Sequence, residues 1–245
     1  MKNTVPVEER LEIKKKTHKN MMWLAISSIV MMFIGLSSAY IIAKADITWV
    51  HITMPDSFLI SSILIVTSSV TFWFAVRLAK RELRKISLIL VITTLLLGLG
   101  FVKFQLSGWA ELKEKGMFFV DAQNVNGLIL EGKGKYGIDY TVIDAGVELK
   151  YVDGKFYDAR DDYNTTEKIP NLVTKNNASS YLYLLTGLHI AHLLGGLISL
   201  IFVTTKSLQG KYTKNDTVGI EVSSIYWHFL DFLWLYLYAL LYFMG

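Results

Sequence analysis

The sequence predicts an all-α membrane protein with five transmembrane helices and a small β-rich insertion between the third and fourth helices. The 245-residue chain is 52% hydrophobic and only 19% charged, with a mean hydropathy of +0.38, whereas soluble domains carry about 25% charged residues. Five apolar stretches are each long enough to cross a bilayer as a helix. Charged and turn-forming residues return between 117 and 178, so this segment is predicted to lie outside the membrane.

Each apolar stretch has recognisable limits, and together they divide the chain into four segments. The first is too long for a signal peptide, and the second opens on Pro55 and Asp56, which favour a helix start. The five predicted helices cover about 21–43, 55–79, 86–106, 179–206 and 219–242. The four segments are a polar N-terminal tail at 1–20, three helices within 21–116, the insertion at 117–178, and two helices within 179–245.

The basic residues predict the orientation of the chain. They concentrate in the tail and in the short links after the second and fourth helices, and short cytoplasmic loops of membrane proteins carry an excess of lysine and arginine. The N-terminus is therefore expected inside, with the insertion and the C-terminus outside. The net charge of +4 reflects this topology rather than a nucleic-acid surface. The chain has no cysteine, which excludes disulfides, thiolate metal sites and cysteine nucleophiles.

The insertion shows alternating polar and apolar residues. Asp153 and Gly154 stand between two such runs, and this dipeptide is a strong short-range signal for a β-hairpin. The segment is therefore expected to form a small β-rich structure.

Small residues recur at helical spacing in three of the predicted membrane helices. Membrane helices approach closely where small residues line one face, so all three sets are interpreted as helix-packing surfaces. The fourth helix has one every four residues, at Gly187, Ala191, Gly195 and Ser199, the first helix has the pair Gly35 and Ala39, and the second helix has one every seven residues, at Ser61, Ser68 and Ala75.

The fifth helix carries Glu221, His228 and Asp231 among apolar and aromatic residues. Ionisable groups in a membrane helix are costly and mark a function or a partner, and they must face protein or water. Asp231 is the deepest of the three, and we expect a charge-assisted bond from it to a histidine or arginine. The alternative is a proton relay through all three groups.

Histidines in the last two helices leave two cofactor hypotheses open. His189 or His192 could pair with His228 as axial ligands of a b-type haem. His189, His192 and Glu221 could bind zinc or copper, although they form no compact metal motif. The simpler interpretation is that the histidines are polar links between helices. No nucleophile with a base and no phosphate-binding loop is present, so composition and spacing alone predict no catalytic centre.

Two motifs in the last helices carry a family resemblance. In the fifth helix, Glu221 precedes a run that contains Tyr226, Trp227, His228, Phe229, Asp231 and Trp234. The fourth helix has Thr186, Gly187, His189, His192 and Gly196. Shorter matches occur in the other helices, at Gly98, Phe101 and Gln105, at Ser68, Ser69 and Thr71, and at Gly35, Leu36, Ala39 and Tyr40. These residues resemble subunit III of the haem–copper respiratory oxidases, which include cytochrome c and quinol oxidases.

The resemblance implies a non-catalytic subunit of a proton-pumping terminal oxidase, cytochrome c oxidase in the first instance, in the aerobic electron transport chain. Such a subunit holds no haem or copper, packs on subunit I in a complex with subunit II, binds phospholipid and supports proton uptake and stable turnover. The alternatives are subunit III of a quinol oxidase and a haem-carrying membrane anchor of a respiratory dehydrogenase. The expected location is a bacterial inner membrane, in preference to a mitochondrial one.

Three departures from the family pattern qualify these expectations. The two additional N-terminal helices of seven-helix members have no counterpart here, so the lipid-filled cleft they form is in doubt. Ile29 stands where many members have a glutamate, which removes an ionisable group from the first helix. The insertion is longer than the family implies, and it is expected to dock an outward-side partner such as a cytochrome or another respiratory complex.

Overall fold

The structure is a computed structural model that describes residues 7–45, 48–117, 134–168, 177–210, 212 and 217–244. Five helices in these ranges are long and apolar enough to cross a membrane, as the sequence predicts. They are α1 (Val7–Lys44), α2 (Asp56–Lys80), α3 (Arg84–Glu114), α4 (Asn177–Leu208) and α5 (Val218–Met244).

Helix α1 begins well before its apolar stretch. It has 38 residues, so at about 1.5 Å per residue it is far longer than a bilayer crossing requires. Most of the predicted polar tail is thus helical, and it continues directly into the apolar stretch from Met21. The lysines at 14, 15, 16 and 19 are therefore held on one rigid element.

A five-stranded antiparallel sheet stands beside the helices, with strand order β1-β2-β3-β4-β5. Four strands come from the insertion, whose residues 118–133 and 169–176 lie outside the described part of the chain. The sequence did not predict the edge strand β1, which lies between α1 and α2. The strands are β1 (Thr48–Ile52), β2 (Tyr140–Asp144), β3 (Val147–Val152), β4 (Lys155–Asp158) and β5 (Glu167–Lys168).

Two tight hairpins connect the central strands. Strands β3 and β4 pair across Asp153 and Gly154, with φ of 51° and 82°, at the position where the sequence predicts a hairpin. Strands β2 and β3 pair across Ala145 and Gly146, with φ of 50° and 78°. Two consecutive positive φ values define the hairpin turn that suits twisted strands, and alanine at the first position hides this second turn from sequence patterns.

The chain divides into two compact units, each with its own core. The first comprises Met1–Phe33, Ser61–Lys103 and His189–Leu235. The second comprises Ile34–Ile60, Phe104–Leu188 and Tyr236–Gly245 and includes the sheet. The core of the first unit contains Ile65, Phe72, Phe101, Trp227 and Trp234, all fully buried. In the second unit the buried residues include Phe58, Leu112, Tyr140, Val142 and Leu149.

Candidate functional site

The N-terminal end of α5 carries a buried carboxylate among lysines. Glu221 is only 5% exposed, and its oxygens lie 2.6 Å from Lys19 Nζ, 3.2 Å from Lys80 Nζ and 3.7 Å from Lys15 Nζ. The Thr217 hydroxyl donates a further hydrogen bond of 2.8 Å. A carboxylate in the first turn also interacts favourably with the helix dipole. Glu221 therefore connects the polar part of α1, the C-terminal end of α2 and the N-terminal end of α5, and its charge is compensated.

A cavity of about 390 Å³ lies next to this cluster. Lys14, His18 and Lys206 line it, and no described carboxylate forms an ion pair with either lysine. The remaining wall contains the first turn of α5 and Tyr212. Backbone N–H groups at a helix start and unpaired ammonium groups both favour an anion, so this cavity can accept a phosphate group.

Serines of α2 bind the aromatic motif of α5. The indole N–H of Trp227 donates to Ser68 Oγ at 3.0 Å, and that of Trp234 donates to Ser62 Oγ at 2.8 Å. The Ser69 hydroxyl lies 2.6 Å from His228 Nδ1. Both indole rings are fully buried. Three side-chain hydrogen bonds therefore join the two helices and fix the faces that they present to each other.

His189 of α4 lies in an aromatic environment. Its ring is fully buried, with Phe101 edge-on at 5.9 Å and Trp234 at 5.4 Å between ring centroids. Neither ring nitrogen hydrogen-bonds a described residue. The geometry thus makes His189 a packing partner of the Trp234 ring, consistent with a role in joining α4 to α5.

Asp231 differs from the expectation drawn from the sequence. It is 3% exposed, but no histidine or arginine among the described residues hydrogen-bonds its carboxylate. The Ser69 hydroxyl lies beside it without completing a well-formed hydrogen bond. The expected charge-assisted pair is therefore absent from this part of the chain. The serine that binds His228 is also the nearest polar neighbour of Asp231.

His192 and Gln105, the remaining polar residues of the predicted network, do not hydrogen-bond the Asp231 carboxylate. The Tyr226 hydroxyl donates to the backbone carbonyl of His192 at 3.1 Å, and the His192 ring meets Phe33 edge-on at 5.9 Å. Gln105 is fully buried in the second unit. Glu221 lies seven residues, about 10 Å, before His228 along α5, so a proton relay through these two would need intermediates.

Some of the small residues predicted to pack helices together make close contacts, and others do not. The Ser199 hydroxyl bonds that of Ser223 at 2.6 Å, Gly195 is 3.7 Å from the Tyr226 hydroxyl, and Gly187 is 3.7 Å from Trp109, each measured from the position of an added Cβ. Ala191 is exposed, and Ala39 is half-buried. Beside Gly35 no described atom lies within 4 Å of an added Cβ, so this glycine makes no close contact within the described chain.

Gly98 and Gly196, which the sequence does not assign to a packing face, both lie against the Trp227 ring. An added Cβ would lie 2.7 Å from the Trp227 ring at Gly98, and 3.0–3.1 Å from Leu230 and Trp227 at Gly196. Both positions are therefore shaped around the same tryptophan. Neither belongs to a regular small-residue repeat, which is why the periodicity alone does not reveal them.

The described residues contain no group of three or more His, Asp or Glu side chains that could hold a metal ion. His189, His192 and Glu221, which the sequence offered as a metal site, are distributed over an aromatic pocket, a half-buried helix face and the lysine cluster.

The comparison with protein families identifies the region that contains α4 and α5. Residues 167–245 match the family model described as cytochrome c oxidase subunit III. This is the family that the histidine and tryptophan motifs resemble, and the matched residues include every motif residue from Thr186 to Trp234. Residues 167–245, here called the subunit III domain, are therefore similar to cytochrome c oxidase subunit III.

Curated relatives of the subunit III domain come from distant organisms. A probable cytochrome c oxidase subunit 3 from Mycobacterium bovis is 34% identical over 96 residues, which is 39% of this chain and 45% of that protein. Cytochrome c oxidase subunit 3 of Synechocystis is 38% identical over 71 residues, 29% of this chain and 30% of the relative. Cytochrome c oxidase subunit 3 of Drosophila yakuba is 30% identical over 109 residues, which is 44% of this chain and 35% of that protein. The matched stretch thus spans less than half of each relative.

Several polar contacts of the subunit III domain come from outside the matched region. Ser62, Ser68 and Ser69 on α2, and Lys15, Lys19 and Lys80 on α1 and α2, all precede residue 167. The family resemblance includes Ser68 and Ser69, and the spacing of Ser68 also predicts a packing face. In the structure these two serines are hydrogen-bond partners of Trp227 and His228.

Proposed function

We propose that this chain is the non-catalytic subunit III of a proton-pumping haem–copper terminal oxidase in the aerobic electron transport chain. The observation that carries the proposal is the subunit III domain, with its motif residues bound to α2. Haem and copper belong to the partner subunits I and II in this proposal. The names of the relatives point to cytochrome c as the electron donor.

Packing on subunit I is supported by the apolar surface of the membrane helices. Large hydrophobic side chains project outward from them, including Met31, Ile42, Phe232 and Phe243, each more than 70% exposed. Such surfaces face lipid tails or a neighbouring subunit. One of these faces is proposed to bind subunit I.

Phospholipid binding is supported by the cavity beside α5. Lys14, His18 and Lys206 surround a volume of about 390 Å³ at the predicted inner end of the helices, where the headgroups of the inner leaflet lie. A lipid phosphate there would compensate the two lysines and contact the first turn of α5.

The contribution to proton uptake is proposed to be indirect. Ile29 occupies the position of the family carboxylate, so α1 offers no ionisable group at that point. The ion pairs of Glu221 hold the inner ends of α1, α2 and α5 together. A rigid inner surface beside subunit I would stabilise a proton entrance there during turnover.

We place the chain in a bacterial inner membrane with its N-terminus inside and the sheet outside. The lysines and arginines near the ends of α1, α2 and α4 support this orientation. The outward insertion is proposed to dock a cytochrome or another respiratory complex. It carries ten acidic and seven basic residues between 117 and 178, so its surface favours a basic partner.

The test is affinity purification of the tagged chain in mild detergent, with a visible spectrum and mass spectrometry of the product. We expect haem–copper subunits I and II to co-purify and to account for all of the haem. Oxidation of reduced cytochrome c, compared with that of a quinol, then identifies the donor. A chain that purifies alone with its own haem would overturn the proposal in favour of a haem-carrying anchor.

A further inference from the structure

Ser69, His228 and Asp231 form a small polar site inside the first unit. Ser69 lies on α2, and the other two residues lie one turn apart on α5. The Ser69 hydroxyl is 2.6 Å from His228 Nδ1 and stands beside the Asp231 carboxylate. A single hydroxyl proton is thus placed between a ring nitrogen and a carboxyl group.

Three buried polar atoms at this site have no hydrogen-bond partner among the described residues. These atoms are His228 Nε2 and both carboxylate oxygens of Asp231. The great majority of buried polar atoms in proteins are hydrogen-bonded, and leaving one unpaired is destabilising. Three such atoms on neighbouring residues therefore indicate a binding site for a small polar ligand.

The neighbouring polar groups are already engaged. The Trp227 and Trp234 indoles, which precede and follow Asp231 by about one turn, donate their only N–H to Ser68 and Ser62. The Ser68 hydroxyl donates in turn to the backbone carbonyl of Ile65. A rearrangement that satisfied Asp231 from these groups would break an existing bond, so the missing partner comes from outside the described side chains.

The enclosure of the site restricts the size of this ligand. Asp231 is 3% exposed, and the tryptophans on either side of it are fully buried, whereas Ser69 and His228 are half-buried. A lipid headgroup is too large to surround a carboxylate as deeply buried as Asp231, and the described residues offer no three-ligand set for a metal ion. Water is small and both donates and accepts hydrogen bonds, and buried water typically makes two to four of them.

We propose that Ser69, His228 and Asp231 bind at least one ordered water molecule inside the α2–α5 pair. The water hydrogen-bonds the Asp231 carboxyl and completes the coordination of the polar atoms around Ser69. Ordered waters of this kind are integral to a fold and costly to remove. This water would belong to the packing of α2 against α5, whether or not the chain assembles with an oxidase.

The decisive experiment is a high-resolution electron cryo-microscopy map of the chain in its native complex. We expect a water peak within hydrogen-bond distance of an Asp231 carboxylate oxygen. The map must resolve other buried waters, which serve as the internal reference. If those waters are visible and no peak lies beside Asp231, the proposal is wrong.

Variants provide a second test with a matched control. Asp231→Leu has a side chain of similar length without polar atoms, and the peak should be lost in its map; Asp231→Asn keeps the hydrogen-bonding capacity and should retain it. Ser68→Ala is the control, because it removes a neighbouring α2 hydroxyl that binds Trp227 instead. A peak that persists in Asp231→Leu would show that this residue does not bind the water.

Should Asp231→Leu fail to fold, Ser69→Ala is the substitute, and a peak unchanged in position and strength in that variant would exclude Ser69 as a ligand.

Discussion

Trp227 shows how a single side chain can determine the identity of its neighbours. Its ring is fully buried and its N–H is bound to Ser68, so it has little freedom to move. Gly98 and Gly196 are the residues that leave room for it. A glycine here is required by the space that the indole occupies, since both glycines have ordinary helical backbones.

Gly98→Ala is predicted to destabilise the protein. The added methyl would lie 2.7 Å from the Trp227 ring and 3.0 Å from Leu197, and overpacking of this kind costs about 1–3 kcal/mol. Gly100→Ala is the matched control on the same helix, because its methyl would meet Leu64 at an ordinary 3.5 Å. Thermal unfolding of the purified membrane protein should show a lower midpoint for the first variant only. Equal midpoints for the two variants would mean that the Trp227 ring moves to make room for the added methyl group.

Asp139, just before β2, forms a pH-dependent ion pair with Lys115, which directly follows α3. Its carboxylate lies 2.8 Å from Lys115 Nζ and accepts a 2.8 Å bond from the backbone N–H of Lys135. The Lys115 ammonium, followed by that N–H, lowers the pKa of Asp139. Because the folded pKa is below the unfolded one, the stabilisation is complete above the ordinary carboxyl pKa and is lost as the pH falls through the folded value.

Acid should therefore loosen this region of the wild-type protein. Asp139→Asn lacks the ion pair at every pH, so its region should already be loose at about pH 5 and should respond less to further acid. Pepsin cleavage within 134–144 of the detergent-purified protein, followed below about pH 5, measures this difference. Asp162→Asn, an exposed change in the same insertion, is the control and should behave as the wild type. Cleavage of Asp139→Asn that rises with acid as steeply as in the wild type would contradict the assignment.

The helices are the elements that the sequence predicts best. Apolar length defines them directly, and the end of α2 differs from its expected position by one residue. The helical extension of α1 is missed because its residues before Met21 are polar, and hydropathy reports only the part that lies in hydrocarbon. The strand β1 is missed because its pairing partner, β2, lies almost 90 residues later in the chain.

The sequence does not predict which side chains contact each other in the candidate site. The spacing of Ser61, Ser68 and Ala75 indicates a packed face of α2, and all three are fully buried. That spacing gives no information on which serine hydroxyl binds which side chain of α5. Ser62 lies outside the repeat, yet it binds Trp234. Such pairings depend on the relative rotation of two helices, which the sequence of either helix alone leaves undetermined.

The pairing of α2 with α5 can be measured as a coupling energy. The double-mutant cycle of Ser68→Ala with Trp227→Phe should yield about 0.5–1.5 kcal/mol for the hydrogen bond between them. The cycle of Ser62→Ala with Trp234→Phe should give a similar value. Ser62→Ala combined with Trp227→Phe is the control, since these residues are not bonded to each other, and its coupling should be near zero. Equal couplings in all three cycles would indicate a general packing effect instead.

At the scale of the whole molecule, charge separates the two ends of the helices. The chain has a net charge of +4, although the insertion contributes three more acidic than basic residues. The basic excess therefore lies outside the insertion, near the polar ends of α1, α2 and α4. This distribution supports the proposed orientation, with the lysines inside and the sheet outside.

This orientation can be tested on a background without reactive thiols, because the chain contains no cysteine. Tyr163→Cys introduces a thiol on the sheet side at a residue that is 88% exposed, and Lys16→Cys introduces one at an exposed position of α1. In spheroplasts, a membrane-impermeant maleimide should label Tyr163→Cys at once and Lys16→Cys only after the membrane is disrupted. The reverse pattern would place the sheet inside, and the outward docking of a respiratory partner on the insertion would then be excluded.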